Sequence, residues 1–166
     1  MKTNNIKFLL VALSCLFAVS VSAQQIITMN SSTHNTTVTM TTCSATLYDS
    51  GGASGNYSNS ENYTITVCAP SGYPMELEVS MNTENTSWDY LSIYEGTSTS
   101  GTTIANHIGS TSSGTAFNAS YSLNSSCATF VWHSDGSVNY PGFAIQISCG
   151  MECQDFTIVP DEVLPM

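Results

Sequence analysis

Apolar residues recur at every second position along most of this chain. Tyr63, Ile65 and Val67 alternate with Asn62, Thr64 and Thr66, and Met75, Leu77, Val79 and Met81 alternate with Glu76, Glu78 and Ser80. A period of two puts one face of each run in a core and the other in water, as in half-buried β-strands. Leu91 and Ile93, then Ala128, Phe130 and Trp132, then Phe143, Ile145 and Ile147 continue the pattern. Turn formers separate the runs: Gly51-Gly52, Pro70-Ser71-Gly72, Gly96, Ser100-Gly101, Gly114, Asp135-Gly136 and Pro141-Gly142. No window past residue 23 carries a helical stripe, and no internal repeat is visible. The pattern predicts an all-β fold, an antiparallel β-sandwich or jelly roll. Residues 24–42, rich in Thr, Ser and Asn with sparse apolar positions, read as a linker or a loosely held edge segment.

The first 23 residues obey a different rule. Lys2 and Lys7 precede an apolar run from Phe8 to about Val19, and Val21-Ser22-Ala23 follows it. This is the layout of a secretory signal peptide cut after Ala23, with an apolar run too short for a membrane span. The expectation is a secreted or cell-surface protein with no membrane insertion after the leader is removed. Cys43, Cys68, Cys127, Cys149 and Cys153 remain after that cut. Exported cysteines usually pair, and an odd number leaves several pairings open.

Charge narrows the function. The 166 residues carry 12 acids against 2 basic residues, a formal net charge of −10, and both lysines lie in the leader. Without cations the chain cannot neutralise a phosphate backbone, so nucleic acid is excluded as a partner, and so is docking to an anionic lipid surface. Catalytic arrangements are also missing from the sequence. His133-Ser134-Asp135 holds the residue types of a nucleophilic triad, but neighbours on a strand point to opposite faces and cannot converge. Gly96-Thr97-Ser98-Thr99-Ser100-Gly101 misses the spacing of a nucleophile elbow, and no zinc-ligand spacing is present. The chain is therefore read as not an enzyme.

One group of acids stands out. Glu84 and Asp89 flank the loop Asn85–Trp88 between two predicted strands, and Asp135 opens the turn after the Ala128–Trp132 run. If the sandwich brings these loops to one end, three carboxylates meet with no Lys or Arg nearby. Loop acids are most often simply solvated. A converging set must instead spread apart, take up protons or bind a cation, and hard oxygen ligands suit Ca²⁺.

Two motifs give the chain from Cys43 to Cys149 a resemblance to CUB domains. Asp89-Tyr90-Leu91-Ser92-Ile93-Tyr94-Glu95-Gly96 resembles the family's Asp-x-Leu/Val-x-Ile-x-Asp/Asn-Gly strand. Ser134-Asp135-Gly136-Ser137, followed by Gly142-Phe143, resembles its Ser-Asp-x-Ser-x-x-x-x-Gly-Phe signature. The stretch from Cys43 to Cys68 looks most like CUB-type modules of exported bacterial surface proteins. The resemblance divides the chain into a signal peptide (1–23), the edge segment (24–42), a CUB-like domain (43–149) and a tail (150–166) that could begin a further module. It implies a jelly-roll module that recognises extracellular proteins rather than catalysing a reaction. It further implies a Ca²⁺ ion held by Glu84, Asp89 and Asp135 with backbone oxygen from Ser137 or Val138, and Tyr57 supporting the acids by a hydrogen bond.

The family's Cys three residues before the strand Asp is Thr86 here, so one of its disulfides is missing. The expected bridges are Cys43–Cys68, from the family's order, and Cys127–Cys149, at the ends of runs taken to be neighbouring strands. Cys153 is left to bridge elsewhere. The implied function is a secreted, calcium-binding module for protein–protein interaction or adhesion that captures a basic partner side chain. The alternative is a carbohydrate-binding module using Trp88, Tyr90, Trp132 and Tyr140 as aromatic contacts to a glycan.

Overall fold

A computed structural model describes residues 24–150. The predicted leader and, past Gly150, the tail with Cys153 lie outside the described residues. Ten strands form two five-stranded sheets packed face to face. The first sheet runs, in spatial order, β1 (Gln25–Thr28), β3 (Ser44–Tyr48), β10 (Gly142–Cys149), β5 (Met75–Asn82) and β8 (Ala116–Ser122). The second runs β2 (Thr36–Thr39), β4 (Asn62–Cys68), β9 (Cys127–His133), β6 (Tyr90–Glu95) and β7 (Thr103–Ile108). The result is an all-β sandwich. Among the described residues the only helical piece is one 3₁₀ turn, Pro70–Gly72.

The alternation read from the sequence maps onto these layers. In β5 the burial alternates strictly, with Met75, Leu77, Val79 and Met81 inside and Glu76, Glu78 and Ser80 outside. The apolar faces of both sheets meet in one core that includes Leu47, Ile65, Leu91, Phe130, Trp132, Phe143 and Ile145. Trp132 packs edge-on against Tyr57 and Phe143, with ring centroids 5.1 and 5.3 Å away.

One expectation needs correction and one is narrowed. The sheets are mixed rather than purely antiparallel, because β1 pairs parallel with β3 and β2 pairs parallel with β4. Residues 24–42 supply both of these edge strands. Met29 and Met40, which follow them, are buried, and their N–H groups donate to the carbonyls of Tyr48 and Cys68 at 2.8 Å.

The disulfides also differ from expectation. Cys43 pairs with Cys149 and Cys68 with Cys127, not Cys43–Cys68 and Cys127–Cys149. The reason is topological: β3 and β4 lie in different sheets, and so do β9 and β10. Each bridge instead joins hydrogen-bonded neighbours within one sheet. Cys68 and Cys127 are register partners on β4 and β9, with Cα atoms 4.0 Å apart. Cys149 donates its N–H to the Cys43 carbonyl at 3.3 Å, and those Cα atoms are 5.0 Å apart.

Candidate metal centre

Three loops meet at one end of the sandwich: residues 83–89 after β5, 134–141 after β9 and 49–61 after β3. Local hydrogen bonds set the shape of each. In the first, Thr83 and Ser110 exchange backbone-to-hydroxyl bonds of 2.8 and 3.0 Å. The Asn85 carbonyl accepts the N–H groups of Trp88 and Asp89 at 3.0 and 2.9 Å, which doubles the loop back and brings Asp89 alongside Glu84. In the second loop, buried Ser134 donates its hydroxyl to the Ser58 carbonyl at 2.7 Å and accepts the Glu61 N–H at 3.0 Å. Those bonds tie the second loop to the third.

The outcome is a cluster of acids. Glu84, Asp89 and Asp135 each present a carboxylate oxygen, and these oxygens lie within 4.8 Å of one another. Asp89 is fully buried and is held on both sides. Its Oδ2 accepts the Tyr57 hydroxyl, and its Oδ1 accepts the Asp135 N–H at 2.9 Å. Asp135 Oδ1 in turn accepts the Ser137 N–H at 2.9 Å. Burial first, and then the hydrogen bond to Asp89, hold the Tyr57 phenol well above its ordinary pKa, so it stays a donor.

Two further oxygens belong to these loops. Glu84 Oε2 is buried and has no hydrogen-bond partner. The Val138 carbonyl sits 3.4 Å from the Tyr57 hydroxyl, whose single proton goes to Asp89. The Glu84 carboxyl is raised above its ordinary pKa by desolvation, then by the charges of Asp135 and Asp89. At 4.8 Å, two such charges repel by roughly 3–4 kcal/mol at an effective dielectric near 20. The donor set fits a hard divalent cation: acid oxygens, a free carbonyl and no nitrogen or sulfur ligand.

Other carboxylates at this end are already satisfied. Asp49 is buried, and its Oδ2 and Oδ1 accept the N–H groups of Phe143 and Gly51 at 2.6 and 2.8 Å. Desolvation outweighs those bonds and pushes its pKa up to about 6. Gly142 is required beside it: a Cβ there would overlap Asp49 Oδ2, and its φ is +81°. Glu61 Oε2 accepts the Trp132 indole N–H at 2.9 Å. Neither role is visible along the chain.

The aromatic residues proposed for glycan contact do not form a platform. Trp132 is fully buried. Tyr90 is stacked against the rings of both His107 and His133, with centroids 3.8 and 4.9 Å away. Tyr140 is half-buried beside Gly114, and only Trp88 stands well exposed. In the His133-Ser134-Asp135 run, His133 pairs with the Asn62 side chain at 2.7 Å, and Ser134 faces backbone.

No family model matches the sequence, and no curated protein matches it. Solved structures do. The MASP-1 CUB2 domain bound to Ca²⁺ is 16% identical, covers 70% of this chain and 99% of its own, and superposes with a TM-score of 0.54. The CUB1-EGF-CUB2 region of human MASP-1/3 is 17% identical with a TM-score of 0.53, and its rat MASP-1 counterpart is 16% identical with 0.51. Each matches 70% of this chain, which spans only 42% and 41% of their own lengths. Ten strands in two mixed sheets, superposing on these domains, give the chain a CUB-like fold.

Proposed function

We propose that the chain is a secreted, non-catalytic, calcium-binding recognition module that mediates extracellular protein–protein interaction or adhesion. One observation carries the metal: three carboxylates lie within 4.8 Å of one another, one of them with a buried oxygen that has no partner, in a chain with no Lys or Arg after residue 7. Glu84, Asp89 and Asp135 are the acid ligands in this reading, with backbone oxygen of Val138 or Ser137 completing the set. Tyr57 orients Asp89 by donating to its second oxygen. Bound Ca²⁺ supplies the positive charge the loops lack, which rigidifies that end of the sandwich. A Ca²⁺-bound neighbour of similar fold supports the assignment. Two disulfides are consistent with an oxidising, extracellular location. The partner is an extracellular protein that presents a basic side chain to the acidic loops.

Calorimetric titration of the chelated protein with Ca²⁺, repeated with Mg²⁺, tests this. Saturable Ca²⁺ binding that Asp135→Asn abolishes is the expected result. Absence of binding heat, together with a melting temperature indifferent to chelator, overturns the metal assignment.

A further inference from the structure

Each sheet has two outer strands, and three of the four are blunted in ways that keep an edge from pairing with another chain. β1 and β2 are only four residues long. β7 shifts register twice against β6, and His107 within it has a φ of +49°. β8 is different. Its seven residues, Ala116-Phe117-Asn118-Ala119-Ser120-Tyr121-Ser122, follow β5 in an unbroken register from Ala116↔Asn82 to Ser122↔Glu76. The strand holds no proline, no glycine and no charge, and among the described residues no strand lies on its other side.

The phase of the ladder tells which backbone groups stay open. Leu123 donates its N–H to the Met75 carbonyl at 2.8 Å, one step beyond the Ser122↔Glu76 pair. Antiparallel hydrogen-bonded pairs alternate, so Phe117, Ala119 and Tyr121 also spend their backbone groups on β5. The N–H and C=O groups of Ala116, Asn118, Ser120 and Ser122 therefore point away from the sheet. Those four side chains are exposed, while Phe117 and Tyr121 pack against the margin of the core and stay partly exposed.

The order of side chains selects the occupant. Read from either end, β8 runs small, aromatic, polar, Ala119, polar, aromatic, small. A two-fold axis beside Ala119 sets Phe117 opposite Tyr121 of a second copy, Asn118 opposite Ser120, and Ala119 opposite itself. The outward backbone groups then meet in the hydrogen-bonded pairs, and the aromatic residues meet in the closer, non-hydrogen-bonded pairs. Charge permits the match. Past residue 7 the chain carries acids and no Lys or Arg, so two copies can meet only where no acid stands at the contact. Glu76 and Glu78 lie one strand back, on β5. Pairing through β8 keeps the two β5 strands three spacings apart, about 14 Å, beyond the ~8 Å screening length of physiological salt.

We propose that β8 is a homodimer seam, through which two copies of this chain pair antiparallel and join two five-stranded sheets into one of ten strands. The seam does not draw on the metal. One strand pair is smaller than a standard interface of roughly 1,600 Å², so the dimer is a weak one.

Sedimentation velocity of the full chain from about 5 to about 500 μM tests it by mass action. The expected result is a concentration-dependent shift from monomer to dimer that stops there, because a two-fold seam closes on itself. Asn118→Lys combined with Ser120→Lys opposes like charges twice across the seam and weakens the dimer about tenfold or more. Asn118→Glu combined with Ser120→Lys opposes unlike charges at the same positions and restores it, which separates the seam from a general loss of folding. Ala119→Cys gives a direct readout. Its Cα faces that of the second copy at about 4.5 Å, within disulfide reach, so mild oxidation links the two introduced thiols, and mass spectrometry identifies the linked peptides. Ala116→Cys faces Ser122 instead and stays unlinked. A chain that remains monomeric throughout, a dimer indifferent to the lysine pair, or a dimer in which Ala119→Cys does not crosslink overturns the seam.

Discussion

Replacing Glu84 by Gln separates a metal site from a group of solvated acids. In the folded protein Glu84 Oε2 accepts no hydrogen bond, so the amide sacrifices no bond at that atom. The substitution also removes one charge from a cluster spanning 4.8 Å. Each pairwise repulsion is worth roughly 3–4 kcal/mol at a dielectric near 20 and about 1 kcal/mol at that of water. Glu84 is partly exposed, so solvent screens it and the lower part of that range applies. The new side-chain amide can in addition donate to the Asp89 or Asp135 carboxylate. Without metal, the variant should therefore be more stable than the parent by about 1–2 kcal/mol, which raises Tm by roughly 3–8 °C for a domain of this size. With metal the order reverses. A site with a Kd of ~0.1 mM, in the range of extracellular modules, stabilises the parent by about 2.7 kcal/mol at ~10 mM Ca²⁺, more than the roughly 1–2 kcal/mol the variant gains without metal. A variant lacking one ligand loses most of that. Thermal melts at pH 7.5 in chelator and in Ca²⁺ should cross, with Glu84→Gln higher in chelator and the parent higher in Ca²⁺. If the variant melts lower in both, Glu84 has a structural role and no unrelieved charge. If Ca²⁺ raises both proteins equally, Glu84 is not a ligand.

Further outcomes follow from the same geometry. Gly142→Ala drives a methyl into Asp49 at a positive φ and should cost at least ~3 kcal/mol, read as a Tm loss of roughly 10 °C or more; a loss under about 3 °C contradicts the contact. Asp49, raised to about 6 from an ordinary 3.8, binds its proton more tightly folded than unfolded. Its contribution to stability therefore grows as pH falls from 7 through 6 toward 4 and is lost as pH rises. In denaturant melts of the metal-free protein, Asp49 should contribute a gain on the order of 2–3 kcal/mol over that window that Asp49→Asn lacks, while the raised Glu84 carboxyl contributes to both proteins. Non-reducing digestion and mass spectrometry should recover the Cys43–Cys149 and Cys68–Cys127 peptides. Replacing Cys68 and Cys127 together by Ser should cost roughly 4 kcal/mol, given a loop of 59 residues.

The strand pattern was readable because each interior strand buries one face, which forces a period of two on runs such as Met75–Met81. The acid trio was readable because charge without counter-charge must be placed somewhere, and turn signals located the loops. The edge strands were readable only as an open alternative between linker and edge, since β1 and β2 are four residues each and pair in parallel with strands that follow later in sequence. Parallel pairing leaves no hairpin turn to betray it. The disulfides failed for a related reason: proximity along the chain does not tell which sheet a strand joins, and here the strands from β1 to β4 alternate between the two. The anchoring of Trp132 by Glu61 was equally hidden, because a loop acid and a core indole lie 71 residues apart.

A chain without lysine or arginine in its folded part must solvate every buried carboxylate with neutral donors. At this end of the sandwich it does so repeatedly. Backbone N–H groups serve Asp49, the Trp132 indole serves Glu61, and the Tyr57 hydroxyl with the Asp135 N–H serves Asp89. Glu84 Oε2 is the one buried carboxylate oxygen among the described residues that receives none. The fold supplies dipoles to its other buried acids and leaves this oxygen bare, in a residue whose carboxylate lies within 4.8 Å of two others, and the cation proposed above is what would satisfy it. A divalent cation satisfies that oxygen and neutralises its neighbours in one step, which is why the bare oxygen weighs more than the number of acids around it.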